Sequence, residues 1–99
     1  MKHCIIVKFN VKFNESAGSK AELIKKAEGL FSTVGRPEGV TDISLVRNCI
    51  DRPNRYDLMI VVSMAREALP AWDASELHHR WKEEFGSCIA SKAIFDYED

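Results

Sequence analysis

Tyr56-Asp57-Leu58-Met59-Ile60-Val61-Val62-Ser63-Met64 is the most strand-like run in the chain and the one that decides the fold. It is apolar on both parities, the pattern of a strand covered on its two faces at the centre of a sheet. Upstream, Val40 to Ile50 has the β-branched alternation of a partner strand, with Ile43 and Leu45 on one parity and Val40, Ser44 and Val46 on the other. Asp51-Arg52-Pro53-Asn54 joins the two through a loop of hairpin length.

Further out, segment 3–13 alternates: His3, Ile5, Val7, Phe9, Val11 and Phe13 share one parity, and Cys4, Ile6, Lys8, Asn10 and Lys12 the other. Ser19 with Glu22 reads as a capping box, so a helix is predicted to begin near Lys20. Leu23, Ala27, Leu30, Phe31 and Val34 form its apolar stripe, Ile24 flanks it, and Gly35 and Pro37 end it. A second helical region is broken at Pro70 and resumes after Asp73, whose carboxylate with Glu76 makes a second cap. There Leu77, Trp81 and Phe85 stack at four-residue spacing with His78 beside them, Gly86 ends the helix, and 89–97 returns to strand character.

The order β-α-β-β-α-β predicts an α+β, ferredoxin-like chain with a four-stranded antiparallel sheet and both helices on one face. The other sheet face has no cover, yet the strands are apolar on both parities. Such a sheet needs a second layer, and an identical copy is the simplest supply. Ninety-nine residues and 11.2 kDa make residues 1–99 one domain with one modest core. Fourteen Lys and Arg against fifteen Asp and Glu leave a net charge of −1, which argues against nucleic acid or an anionic membrane surface as partner. The three cysteines, Cys4, Cys49 and Cys88, show no CxxC pair and read as small buried thiols in a reducing compartment, the cytoplasm by default. No stretch reaches membrane-spanning length.

Four segments carry a family likeness: Lys2-His3-Cys4-Ile5-Ile6-Val7-Lys8-Phe9, Arg55-Tyr56-Asp57-Leu58, Trp72 to His78, and Ile94-Phe95-Asp96-Tyr97. Together they resemble the stress-responsive dimeric α/β-barrel family, which includes the plant olivetolic acid cyclase, and the resemblance covers nearly the whole chain. It implies a homodimer whose open sheet faces close into a barrel, with no cofactor. The family's segment Tyr-x-x-His-Pro-x-His falls on Trp72-Asp73-Ala74-Ser75-Glu76-Leu77-His78. His78 therefore takes the place of the family's catalytic acid/base. Ser75 and Glu76 replace the first histidine and the proline, and Trp72 occupies the tyrosine slot with an indole that only donates.

The candidate site follows. Histidine is the side-chain type suited to proton transfer near neutral pH, and His78 is the candidate catalytic acid/base. If the parity of His3, Ile5 and Val7 turns toward the uncovered side, His3 and His78 share a pocket walled by Ile5, Val7, Trp72 and Trp81. The resemblance implies a small hydrophobic ligand, aromatic or polyketide-like. No metal is expected, because His3, Cys4 and His78 lack ligand spacing. The competing reading is a non-catalytic, stress-related ligand-binding or interaction protein in which Trp72 and Trp81 are core and His78 is a hydrogen-bonded boundary residue.

Overall fold

The computed structural model describes residues 1–10 and 20–99. The elements are β1 (Lys2–Phe9), α1 (Lys20–Thr33), β2 (Val40–Arg47), β3 (Leu58–Met64), a 3-10 turn (Arg66–Ala68), α2 (Leu69–Asp73), α3 (Glu76–Phe85), a second 3-10 turn (Gly86–Cys88) and β4 (Ile89–Tyr97). The four strands form one antiparallel sheet in the order β2-β3-β1-β4. This is the ferredoxin-like arrangement, and it makes β1 and β3 the inner strands. Their position explains why they are apolar on both parities. Val11 and Phe13, the end of the expected first strand, and Ser19 of the expected capping box lie outside the described residues.

Register assigns the faces. His3, Ile5 and Val7 of β1 stand opposite Val62, Ile60 and Leu58 of β3, and Ile43 and Leu45 of β2 stand opposite Val62 and Ile60. This parity packs on the helices: Ile5, Val7, Phe9, Leu58, Ile60 and Val62 form one core with Leu23, Ala27, Leu30 and Phe31 of α1, Trp72 of α2, and Leu77, Trp81 and Phe85 of α3. A register shift between Val40 and Asp42 turns Val40 into the same core despite its opposite parity.

Two local expectations are corrected. Helix α3 is capped by Ser75, whose Oγ accepts from the His78 amide, and not by the Asp73 carboxylate. Pro70 opens α2 rather than breaking a helix, because the first turn of a helix asks no amide of it.

Two polar side chains are buried among the described residues, His3 and Asp57. Asp57 is buried at the foot of β3, where its Oδ2 accepts from the Phe9 amide at 2.8 Å and its Oδ1 pairs with Lys20 Nζ at 3.0 Å. The carboxylate thus ties the loop before β3 to the end of β1 and the start of α1. It also holds the Lys20 ammonium above the usual lysine range. Asp57→Ala is expected to cost about 1–3 kcal/mol, since it strands a buried amide, while Asp57→Asn keeps an acceptor and costs less. Urea titration checks both. A raised lysine pKa stabilises the fold below the lysine's unfolded pKa and loses that contribution as pH climbs through the raised value, so the difference between wild type and Asp57→Asn should narrow in strong alkali. Equal stability of Asp57→Ala and wild type at neutral pH would remove the tie.

Candidate functional site

Three aromatic rings run in a row from the sheet to α3. The His3 ring meets Trp72 edge-on with centroids 6.3 Å apart, and Trp72 meets His78 at 5.4 Å. Trp72 therefore stands between the two histidines. His3 is buried at the start of β1, and its Nδ1 donates to Asp96 Oδ1 at 2.5 Å. That partner comes from the far end of the chain through the β1–β4 register, which sets His3 opposite Asp96.

His78 is half-buried in the first turn of α3. Its Nδ1 lies 3.0 Å from the Asp73 carbonyl oxygen. A carbonyl only accepts, so Nδ1 carries the proton and neutral His78 keeps Nε2 as its basic nitrogen. Ser75 organises this corner: its Oγ accepts from the His78 amide at 3.1 Å and donates to the Trp72 carbonyl at 2.7 Å. Ser75 thus works as a helix cap that positions both Trp72 and His78. Trp72 is fully buried at 0% exposure, and its Nε1 is buried without a hydrogen-bond partner among the described residues. An unpaired buried donor costs about 1–3 kcal/mol, so an acceptor at this point would be strongly held.

The placement of the other predicted site residues differs from expectation. Ile5, Val7 and Trp81 do not line an opening on the uncovered side: Ile5 and Val7 face the helices, Trp81 belongs to α3, and the three are 2%, 0% and 1% exposed in the core. Trp81 packs on Phe31 and Phe85, with centroids 5.6 Å and 4.8 Å away. His3 and His78 do share a neighbourhood, but across the Trp72 ring and not around a void. Cys4 and Cys88 are buried, as read from the sequence, and Cys49 is exposed, which corrects its assignment as a buried thiol. Burial pushes the Cys4 thiol up, with the Asp96 charge adding to it, so Cys4 stays protonated at neutral pH. Asp96 and Ser75 are the site residues that sequence reasoning missed. Nothing local marks Asp96 as a histidine partner, whereas Ser75 three residues before His78 is an N-cap signal in its own right.

The uncovered face is equally defined. Cys4 of β1 stands opposite Val61 and Phe95, Ile6 opposite Met59 and Ala93, and Val46 opposite Met59. Among the described residues nothing packs over this parity, and Val46, Phe95 and Tyr97 are exposed on it.

No family model and no curated protein matches the chain. Solved structures do match over 99% of its length. A dimeric ferredoxin-like protein of unknown function from Thermobifida fusca is 11% identical, with 89% of that chain covered and a TM-score of 0.73. A DABB-family protein with a ferredoxin-like fold from Mesorhizobium loti is 13% identical, with 94% covered and a TM-score of 0.67. A dimeric protein of unknown function and ferredoxin-like fold from Bacteroides fragilis is 15% identical, with 94% covered and a TM-score of 0.68. At such low identity the likeness is one of architecture, and it establishes the chain as a ferredoxin-like fold of the kind found in these dimeric proteins.

Proposed function

We propose that the chain is a homodimeric, dimeric α/β-barrel-type protein of a reducing compartment such as the cytoplasm. It binds a small aromatic or polyketide-like molecule at the His3–Trp72–His78 row, with His78 as a cofactor-independent acid/base. The observation that carries the reading is the pairing of two complementary groups at one place. The buried Trp72 Nε1 donor has no partner among the described residues, and beside it His78 is locked by the Asp73 carbonyl in the tautomer whose Nε2 takes a proton. A ligand oxygen accepting from Trp72 while an adjacent acidic C–H or O–H faces His78 would use both. Entry requires α2 to swing outward. It is a five-residue helix bounded by a 3-10 turn and the Ser75 cap, and its opening draws the buried Trp72 out of the core. The homodimer is supported by the apolar uncovered face and by the dimeric neighbours of the same fold.

The filled helix–sheet interface favours a second reading, a non-catalytic binding or interaction protein in which Trp72 is simply core. The two are separated by following the Trp72 indole N–H by nitrogen-15 NMR during titration with hydroxylated and acetylated benzenes. On the first reading that resonance moves by more than the indole signal of Trp81, the second tryptophan, and His78→Ala weakens the binding about tenfold or more, the loss of one hydrogen bond to a polar group. A Trp72 resonance unmoved by every compound would leave the second reading. Light scattering at micromolar concentration should give twice the 11.2 kDa chain mass on either reading.

A further inference from the structure

The uncovered sheet face carries a projection and a recess at opposite corners. The projection is on edge strand β4, where Phe95 and Tyr97 are 61% and 44% exposed and their rings lie 6.3 Å apart. The recess lies toward the other edge, at the end of the strands where Arg47 and Leu58 pair. It has a volume of about 310 Å³, and Ile6, Val46, Cys49, Tyr56 and Met59 are among its lining residues. A benzene-sized ring fills a cavity of roughly 150 Å³, so the recess is large enough for one aromatic side chain with some room beside it. Tyr56 spans its rim, with its hydroxyl 3.5 Å from Ser91 Oγ on β4.

Two-fold symmetry turns this into a constraint. In an isologous pair each projection must meet a recess on the same face of the other copy. Four strands of seven to nine residues, at ~3.3 Å per residue and ~4.8 Å spacing, offer a projected face of roughly 25 by 19 Å. Two such faces bury on the order of 1,000 Å², which is at the threshold for a stable interface, so a flat contact would be marginal and interlocking side chains must supply the rest.

From this we infer that Phe95 of each copy docks in the recess formed by Ile6, Val46, Cys49, Tyr56 and Met59 of the partner, so that each recess is complete only in the dimer. The inference deepens the homodimer reading above and rests on it. Exchanging opposite corners places the two-fold axis in the interface plane along the other diagonal. The strands of the two sheets then cross steeply, toward the orthogonal class of sheet packing rather than the aligned one.

The chain provides its own reporter, because Cys49 lines the recess and is exposed while Cys4 and Cys88 are buried. In the full chain carrying Cys4→Ser, which removes the thiol directly across the ladder from position 95, Phe95→Cys under mild oxidation should give a disulfide-linked dimer on a non-reducing denaturing gel, and adding Cys49→Ser should abolish it. Phe95→Ser, which leaves an already exposed position and an unchanged circular dichroism spectrum, should raise the dimer dissociation constant about 30-fold or more, the effect of losing an interface anchor. Three results overturn the docking. One is a cross-link that survives Cys49→Ser, which would put the two Phe95 positions together at the axis. Another is no cross-link in a protein that light scattering shows to be dimeric. The third is a dissociation constant unmoved by Phe95→Ser. A monomer by light scattering would instead overturn the homodimer reading beneath it.

Discussion

Trp81→Ala is expected to remove about 3–5 kcal/mol of stability, the range for emptying a fully buried large aromatic site. Trp81 is 1% exposed and sits where the two halves of the helix layer meet, stacked on Phe85 of its own helix and tilted against Phe31 of α1. Little can collapse into the space, because Phe85 and the sheet residues Val7 and Ile60 beneath the helices are themselves fully buried. A domain of this size holds about 5–15 kcal/mol in total, so the loss is a large share of it. At roughly 4–8 °C per kcal/mol, the thermal midpoint should fall by about 12 °C or more. Trp81→Phe, which keeps a ring in place, should lose much less. A midpoint within a few degrees of wild type for Trp81→Ala would mean that the helix layer is not packed through this residue.

The second large effect is at Gly39. The Val40 amide donates to the Pro37 carbonyl at 3.1 Å, closing a four-residue turn in which Gly39 is the third residue with φ of +87°. A positive φ at that position is what a type II turn requires. The space is closed as well: a Cβ on Gly39 would lie 2.7 Å from the Ala68 Cβ, which belongs to the turn leading into α2. Ala68 has no longer side chain to rotate away, so its backbone must shift. Gly39→Ala therefore combines a backbone penalty of about 1–2 kcal/mol with an overpacking penalty of about 1–3 kcal/mol. Chemical denaturation should show a loss of roughly 2–5 kcal/mol from these two sources. Gly39→Ala together with Ala68→Gly should recover the steric part and leave the backbone part, and failure to recover any would show that the clash is not with Ala68.

How far the sequence could be read depends on the distance between the groups that matter. The stripe Leu23, Ala27, Leu30 and Phe31 and the stack Leu77, Trp81 and Phe85 are within-helix patterns, and all of these residues are in the core. The α3 cap lies two residues beyond Asp73: Asp73 and Ser75 both suit a helix start, and only the backbone turn at the end of α2 decides between them. His3, Ile5 and Val7 do share one face, but it lies under the helices, so the condition for a pocket on the uncovered side is not met. Alternation says which residues share a side and is silent on which side the helices cover.

The sequence by itself determined the order of elements, the ferredoxin-like fold and the two-sided apolar character of β1 and β3, because each is written in short-range periodicity that the backbone obeys wherever it folds. Tertiary structure alone decided that Trp72 stands between His3 and His78 with its donor unpaired, that Asp96 reaches His3 from the other end of the chain, and that Phe95 projects from one corner of a face recessed at the other. These depend on strand register and on the hand of the crossovers, which join residues tens of positions apart and leave no local trace in either partner.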